Sequence, residues 1–303
     1  MDHEQRIVHF LSQADNYPHS TGRILRRETH VSHVFLAGPF AYKLKKPVKF
    51  PFLDASSLQR RKRFCGLELS LNRRLAPATY LGMIPILETK AGLRLGPSTS
   101  LGTAASHVSS GRRGQVVEWL VKMRRLPEAR MLDQLVQQRR VGRRDMERVA
   151  DRLVPFFKRA ARSPRINRYG TPAIVSELVL GNLRESQPFV GSLLPEEDRQ
   201  FLEAAYRQYL ALHEPLLARR VKERQIIDGH GDLRCENICM TDPVNIFDCV
   251  EFQPAFRCGD LVNDFSFLLM DLEFRGRRDL ADALVAHYRR RVADPGSEDL
   301  LPF

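Results

Sequence analysis

No stretch of this sequence approaches the roughly 20 consecutive apolar residues that a membrane-spanning helix requires, so no membrane partner is expected. The opening MDHEQRIVHF is charged and polar within its first six residues, unlike a secretory leader, and a cytoplasmic location is the expectation. Cysteine is scarce and odd in number, five in 303 residues and widely spaced. Reduced thiols account for that better than a disulfide framework. There is no internal repeat and no low-complexity segment. Two phosphate-binding signatures are also missing, G-x-x-x-x-G-K-S/T and G-x-G-x-x-G.

What is present is ordinary in bulk: 43% hydrophobic and 28% charged residues, in a chain long enough for one large domain or two smaller ones. The formal charge of +12 hides an asymmetry. Residues 1–165 hold 32 basic and 13 acidic residues, a net of +19, whereas residues 166–303 hold 16 and 23, a net of −7. A uniformly basic protein would point directly to nucleic acid. A basic front and an acidic back point instead to two regions handling differently charged partners.

Residues 3–14 read as a short amphipathic helix. From His30 the period changes to two, giving strands at about 31–37 and 40–46 across the tight Ala37-Gly38-Pro39 turn. Asp54 or Ser56 is a candidate cap for a long helix running to about Leu75. YLGMIPILET and QVVEWLVKM are further strands, separated by a Gly/Ser-rich loop at 96–114. Helical patterns occupy about 127–139, 143–162, 172–187 and 195–219, then 261–274 and 277–292, with loops and short strands between 225 and 260. The expected class is α+β with a two-lobed plan, a sheet-plus-helix part at 1–122 and a mainly helical part at 123–303.

The chemistry is concentrated in HGDLRCEN, His230 to Asn237. Phosphoryl transfer needs a carboxylate to orient the attacking hydroxyl and oxygen ligands to hold Mg²⁺ against a triphosphate. Asp232 supplies the first and Asn237 a metal ligand, in the D-x-x-x-x-N spacing of kinase catalytic loops. Eleven residues on, IFDCVEF places Asp248 at the end of an apolar run, suited to a second metal ligand. The competing reading is structural, with Asp capping a turn and Asn closing a loop.

HGD-x-x-x-x-N followed by an I-x-D strand end resembles the aminoglycoside phosphotransferase and choline kinase group, which has a protein-kinase-like fold. The segment Gly259-Asp260-Leu261-Val262-Asn263-Asp264 is similar to that group's G-D-x-x-x-D stretch, which implies that Asp264 buttresses the catalytic loop. The resemblance also gives His230 a supporting, backbone-anchoring part, leaving Asp232 as the base. Alternation puts Ala41 and Lys43 on one strand face, similar to the kinase V-A-I-K arrangement, with Ala41 against adenine and Lys43 on the phosphates. Lys45 shares that face and is the rival for the phosphate role. Glu68, amid Phe64, Leu67 and Leu71 on the long helix, is the natural partner of the lysine.

More narrowly, HVSHVFLAGPFAYKLKKPVKFPFLD, RRKRFCGLELSLNRRLAP and FDCVEF resemble a bacterial group described as aminoglycoside-phosphotransferase-like, many of which carry a C-terminal P-loop domain. No P-loop signature occurs here, so that second domain is expected to be absent. The resemblance implies ATP and Mg²⁺ as cofactors and a small-molecule hydroxyl acceptor as partner. The acidic back half is compatible with an amine-bearing acceptor.

Two features point elsewhere. Cys235, Cys239, Cys249 and Cys258 crowd the catalytic segment, but their spacings match no common zinc ribbon. The runs RRKR at 60–63 and RRVGRR at 139–144 would suit nucleic acid, but they lack interleaved aromatics and read more simply as solvated helix faces. The alternative function is a non-catalytic nucleotide-binding or nucleic-acid-associated adaptor that kept the fold.

Overall fold

Asp2 and Gln5 start the first helix with a capping box: Asp2 Oδ1 accepts the Gln5 N–H at 2.8 Å, and Gln5 Oε1 accepts the Asp2 N–H at 3.2 Å. That helix, α1 (His3–Leu11), buries Ile7, Phe10 and Leu11. Strands β1 (Leu25–Glu28), β2 (Ser32–Ala37) and β3 (Phe40–Lys45) follow, then the short β4 (Lys49–Phe50) and β5 (Leu53–Asp54). Helix α2 (Leu58–Asn72) leads to β6 (Tyr80–Thr89), β7 (Gly92–Leu95) and β8 (Gln115–Arg124). Helices then take over: α3 (Leu132–Gln137), α4 (Arg143–Arg159), α5 (Pro164–Asn167), α6 (Pro172–Glu185) and α7 (Glu196–Lys222). Short strands β9 (Ile226–Asp228), β10 (Ile238–Cys239) and β11 (Asn245–Ile246), helix α8 (Pro254–Arg257) and strand β12 (Cys258–Asp260) come next. The last helices are α9 (Leu261–Phe274), α10 (Arg278–Arg291) and α11 (Ser297–Leu300). The computed structural model describes residues 2–99 and 114–301, so most of the Gly/Ser-rich loop expected at 96–114 lies outside the described residues.

The class is α+β, as the patterning implied. Two compact units divide the chain, Met1–Arg140 with Glu236–Gln253 and Val141–Cys235 with Pro254–Phe303. A division at 122/123 falls inside β8, whose pairing with β3 and β6 runs through that point, and the first unit continues to Arg140. The helix expected to be capped by Asp54 or Ser56 is capped by Ser57, whose Oγ accepts the Arg60 N–H at 3.3 Å. Asp54 is occupied by Ser56, accepting its hydroxyl at 2.6 Å and its N–H at 3.2 Å.

In the first unit six strands form one antiparallel sheet in the order β1-β2-β3-β8-β6-β7. Because side chains alternate, β2, β3, β6 and β8 each feed two cores. Phe35, Ala37, Tyr42, Leu44, Ile84, Ile86 and Leu120 pack on one face with Ile7, Phe10 and Leu11 of α1. Leu36, Ala41, Trp119, Val121 and Met123 pack on the other with Cys65 and Leu69 of α2.

The second unit is mainly helical, with α4 against α10, α6 against α7 and α9 against α10. The wholly buried Arg220 of α7 forks Asp260 at 2.6 and 2.7 Å and reaches Asp294 at 2.7 Å. Asp260 in turn caps α9 by accepting the Val262 N–H at 3.0 Å. Among the described residues no helix is long and apolar enough to cross a membrane.

Candidate active site

Ala41, Lys43 and Lys45 alternate with Tyr42 and Leu44 and therefore lie on the α2 side of the sheet. Ala41 is packed there against Val121 and Met123. The two lysines converge on Glu68, which is fully buried. Lys45 Nζ donates to Glu68 Oε2 at 2.6 Å; Lys43 Nζ lies 3.1 Å from Oε1, within ion-pair reach but off hydrogen-bonding geometry. Burial alone would raise the Glu68 carboxyl, yet Lys43 and Lys45 hold it below its ordinary value. Burial would likewise lower the lysines; Asp248, Glu68 and Glu251 hold Lys43, and Glu251 and Glu68 hold Lys45, above their ordinary values.

The other half of this cluster arrives from residues 236–253, which belong to the same unit. Strands β10 and β11 form a two-stranded hairpin with Ile238 opposite Ile246 and Cys239 opposite Asn245. The Phe247 N–H donates to the Asn237 carbonyl at 2.9 Å, so the register brings Asn237 and Asp248 to the same end of the hairpin. Asn237 is buried. Asp248 has φ of 62°, a left-handed conformation that few non-glycine residues adopt and that clusters at functional sites.

Side-chain contacts hold this strand end. Lys43 Nζ donates to Asp248 Oδ1 at 2.5 Å, and Lys45 Nζ donates to Glu251 Oε1 at 2.5 Å. The Asp248 N–H donates to the Tyr80 hydroxyl at 3.3 Å, and the Cys249 N–H donates to Asn72 Oδ1 at 2.9 Å. Burial, with Glu68 and Asp248 nearby, pushes the Tyr80 hydroxyl far above its ordinary range, so it stays protonated. The Asp248 side chain remains 45% exposed against 10% for Glu251, so of the two carboxylates Asp248 is the reachable one.

HGD lies in the second unit, just after β9, which pairs antiparallel with β12. Asp264 of α9 accepts the His230 N–H at 2.5 Å and the Gly231 N–H at 2.7 Å. Gly231 has φ of +83°, and a Cβ there would come within 2.6 Å of the Phe256 carbonyl, so only glycine fits. The buried His230 ring meets the Asp232 N–H at 3.3 Å through Nδ1, an anchoring contact. Arg234 forks the Asp232 carboxylate at 2.8 and 3.3 Å.

Thus Ala41, Lys43, Glu68, Asn237 and Asp248 come together in the first unit, while His230, Asp232 and Asp264 share the second. The rivalry between Lys43 and Lys45 resolves into a division: both reach Glu68, but Lys43 continues to Asp248 and Lys45 to Glu251. Glu251, Asn72, Tyr80 and Arg234 were not anticipated. Glu251, three residues past Asp248, and Asn72, four past Glu68, carried a readable spacing; Tyr80 carried none. Arg61 of the basic RRKR run is buried, with Nη2 2.7 Å from Glu118, and is not part of a solvated face.

Mg²⁺ demands oxygen ligands, keeps several waters, and is usually held by one or two carboxylates together with substrate phosphates. The Asp248 carboxylate and the Asn237 side-chain oxygen at one hairpin end fit that demand; an all-protein cage of three or more His, Cys, Asp or Glu is absent among the described residues. The five cysteines are buried free thiols, and burial pushes that of Cys239 up to about 11.

A six-stranded antiparallel sheet with α2 on one face, followed by a mainly helical unit, is a kinase-like α+β fold. Among solved structures, a choline/ethanolamine kinase family protein from Mesorhizobium loti is similar over 98% of this chain and 80% of its own, with a TM-score of 0.53 and 14% identity. An aminoglycoside phosphotransferase from Streptomyces rimosus, solved with ADP and streptomycin, aligns over 99% of this chain and 97% of its own at a TM-score of 0.46 and 16% identity. In sequence, uncharacterised proteins of Mycobacterium tuberculosis and Mycobacterium bovis are 32% identical over 278 residues, 91% of this chain. The chain spans about half the length of these curated relatives, 51%. No protein-family model matches it.

Proposed function

We propose that this protein is an ATP- and Mg²⁺-dependent O-phosphotransferase that acts on a hydroxyl of a small, amine-bearing molecule. One observation carries the reading: a buried Glu68 holds two strand lysines, and Lys43 reaches from it to Asp248 at the hairpin end shared with Asn237. An ion cluster this deep needs a reason beyond stability, since buried pairs gain little over apolar packing. A site that must present one ammonium and one carboxylate to a metal triphosphate supplies that reason.

In the proposed reaction Lys43 holds the phosphates and Glu68 fixes its position. Asn237 and Asp248 hold the metal, which when bound offsets the charge of the phosphate oxygens. Asp232, five residues before Asn237 in the D-x-x-x-x-N spacing, orients the acceptor hydroxyl and takes its proton on a carboxylate oxygen. The acceptor oxygen then bonds to the γ-phosphorus and ADP leaves. The net charge of −7 over residues 166–303 favours a cationic acceptor by long-range attraction, which supports the amine. The kinase family of the Mesorhizobium loti protein, whose name gives choline and ethanolamine as substrates, accords with such an acceptor.

Titration calorimetry of Mg·ATP tests the nucleotide half. Asp248→Ala should weaken Mg·ATP by about 10- to 100-fold, the ~1.5–3 kcal/mol of a contact to a charged group. Unchanged affinity would remove Asp248 from the metal, and no binding to the wild type would leave the adaptor reading with the basic front half as its place to look.

A further inference from the structure

Helix α9 carries a second buried aspartate on the face that holds the catalytic loop. Asp264 and Asp271 are seven residues apart, which at ~3.6 residues per turn is close to two full turns, so both point the same way. Asp264 takes the N–H groups of His230 and Gly231 at the start of the loop. Asp271 Oδ2 takes the N–H of Cys235 at 2.8 Å, at the loop's other end. Its second oxygen, Oδ1, is held at 2.9 Å by Arg275, one turn further along the same helix. Both aspartates are buried.

We propose that Asp271 is a second positioning residue for the proposed base, so that α9 suspends the loop at two points with Asp232 between them. This rests on the phosphotransfer reading given above. Geometry leaves the suspended loop little slack. The two aspartates are ~10 Å apart along the helix axis, while the four residue steps from Gly231 to Cys235 reach at most ~14 Å when fully extended. Loss of the Cys235 contact would let the loop shift between its anchors, and a displacement of ~1 Å can cost about 100-fold in rate. The fork from Arg234 to Asp232 restrains the carboxylate but moves with the same loop, so it cannot replace an anchor on the helix. The helix itself is fixed where it starts, through Asp260 and the wholly buried Arg220.

The test uses the full chain and needs no acceptor. Amide hydrogen exchange is followed at Cys235 and at His230–Gly231, and magnesium-dependent ATP hydrolysis, with water in the acceptor's place, gives kcat and KM. In Asp271→Ala the Cys235 amide should exchange about tenfold faster or more while 230–231 stay protected, because one anchor is lost and the other kept. Its kcat should fall by ~10- to 100-fold with the KM for Mg·ATP unchanged. Asp271→Asn keeps one carbonyl acceptor and should recover part of both. Arg275→Ala removes the cation but not the Cys235 contact and should leave both at wild-type level. Should Asp271→Ala fail to fold, the comparison of Asp271→Asn with Arg275→Ala carries the same contrast. Undiminished protection at Cys235, or kcat and KM changing together, would overturn the two-point suspension even if phosphate transfer stands. A wild type that hydrolyses no ATP and transfers no phosphate would instead overturn the phosphotransfer reading, whatever the exchange shows.

Discussion

Asp232→Asn is expected to bind Mg·ATP as the wild type does and to transfer phosphate more slowly by ~10²- to 10⁴-fold, the range that general-base catalysis covers. The substitution is nearly isosteric. Asparagine keeps an oxygen for Arg234, and the backbone N–H that meets His230 is untouched. The loop also keeps its anchors on Asp264, which hold His230 and Gly231 rather than residue 232. What disappears is the carboxylate proposed to accept the hydroxyl proton. Binding should survive because Lys43, Glu68, Asn237 and Asp248 lie in the other unit. Single-turnover transfer of labelled phosphate, measured beside calorimetric affinity, separates the two effects. A variant that transfers at the wild-type rate would take the base assignment away from Asp232.

Glu68→Ala is expected to destabilise the first unit by ~3–5 kcal/mol, because it leaves buried ammonium groups without their shared carboxylate. Lys43 and Lys45 would retain Asp248 and Glu251, but both would lose the partner that is wholly removed from water. The single tryptophan makes this measurable. Trp119 is buried in β8 against Cys65 and Leu69 of α2, so its fluorescence reports denaturant unfolding of this unit specifically. Loss of less than ~1 kcal/mol would mean that the cluster is solvated and worth no more than a surface pair. Acid provides a second axis. Glu68 is held below its ordinary value of 4.5, so its contribution is fully present above that value and is lost as the pH falls through the lowered one. The stability gap between wild type and Glu68→Gln should therefore close on acidification and stay constant through neutral pH.

The parts of this molecule that repeat a simple period were legible in the sequence. Strands β2 and β3 lie within one residue of the expected spans, and α9 matches its expected span of 261–274. Helix α2 was harder for a physical reason. Its buried residues are Arg61, Cys65, Glu68, Leu69, Leu71 and Asn72, so half of its buried face is polar. Of Phe64, Leu67 and Leu71, the apolar residues around which the burial of Glu68 was argued, Leu71 is buried and the other two are only partly buried. The carboxylate is buried all the same, against Lys43 and Lys45 of β3. Strand β1 was missed because all four of its residues are exposed and none alternates. Within the candidate site, motif spacing singled out Asp232, Asn237 and Asp248. Tyr80 is defined by what it touches, and touching is settled only when the chain folds.

The ion cluster of the first unit can also be read as a charge inventory. Lys43 and Lys45 contribute two positive charges, while Glu68, Asp248 and Glu251 contribute three negative ones. Although residues 1–165 are strongly basic as a whole, this cluster is negative by one. A free nucleotide polyanion approaching it meets a repulsive site; a divalent cation added to the inventory reverses the sign to plus one. Metal and nucleotide should accordingly bind with positive cooperativity, each raising the affinity for the other by the same factor. Titrating ATP in the presence of a chelator should then give markedly weaker binding than titrating Mg·ATP.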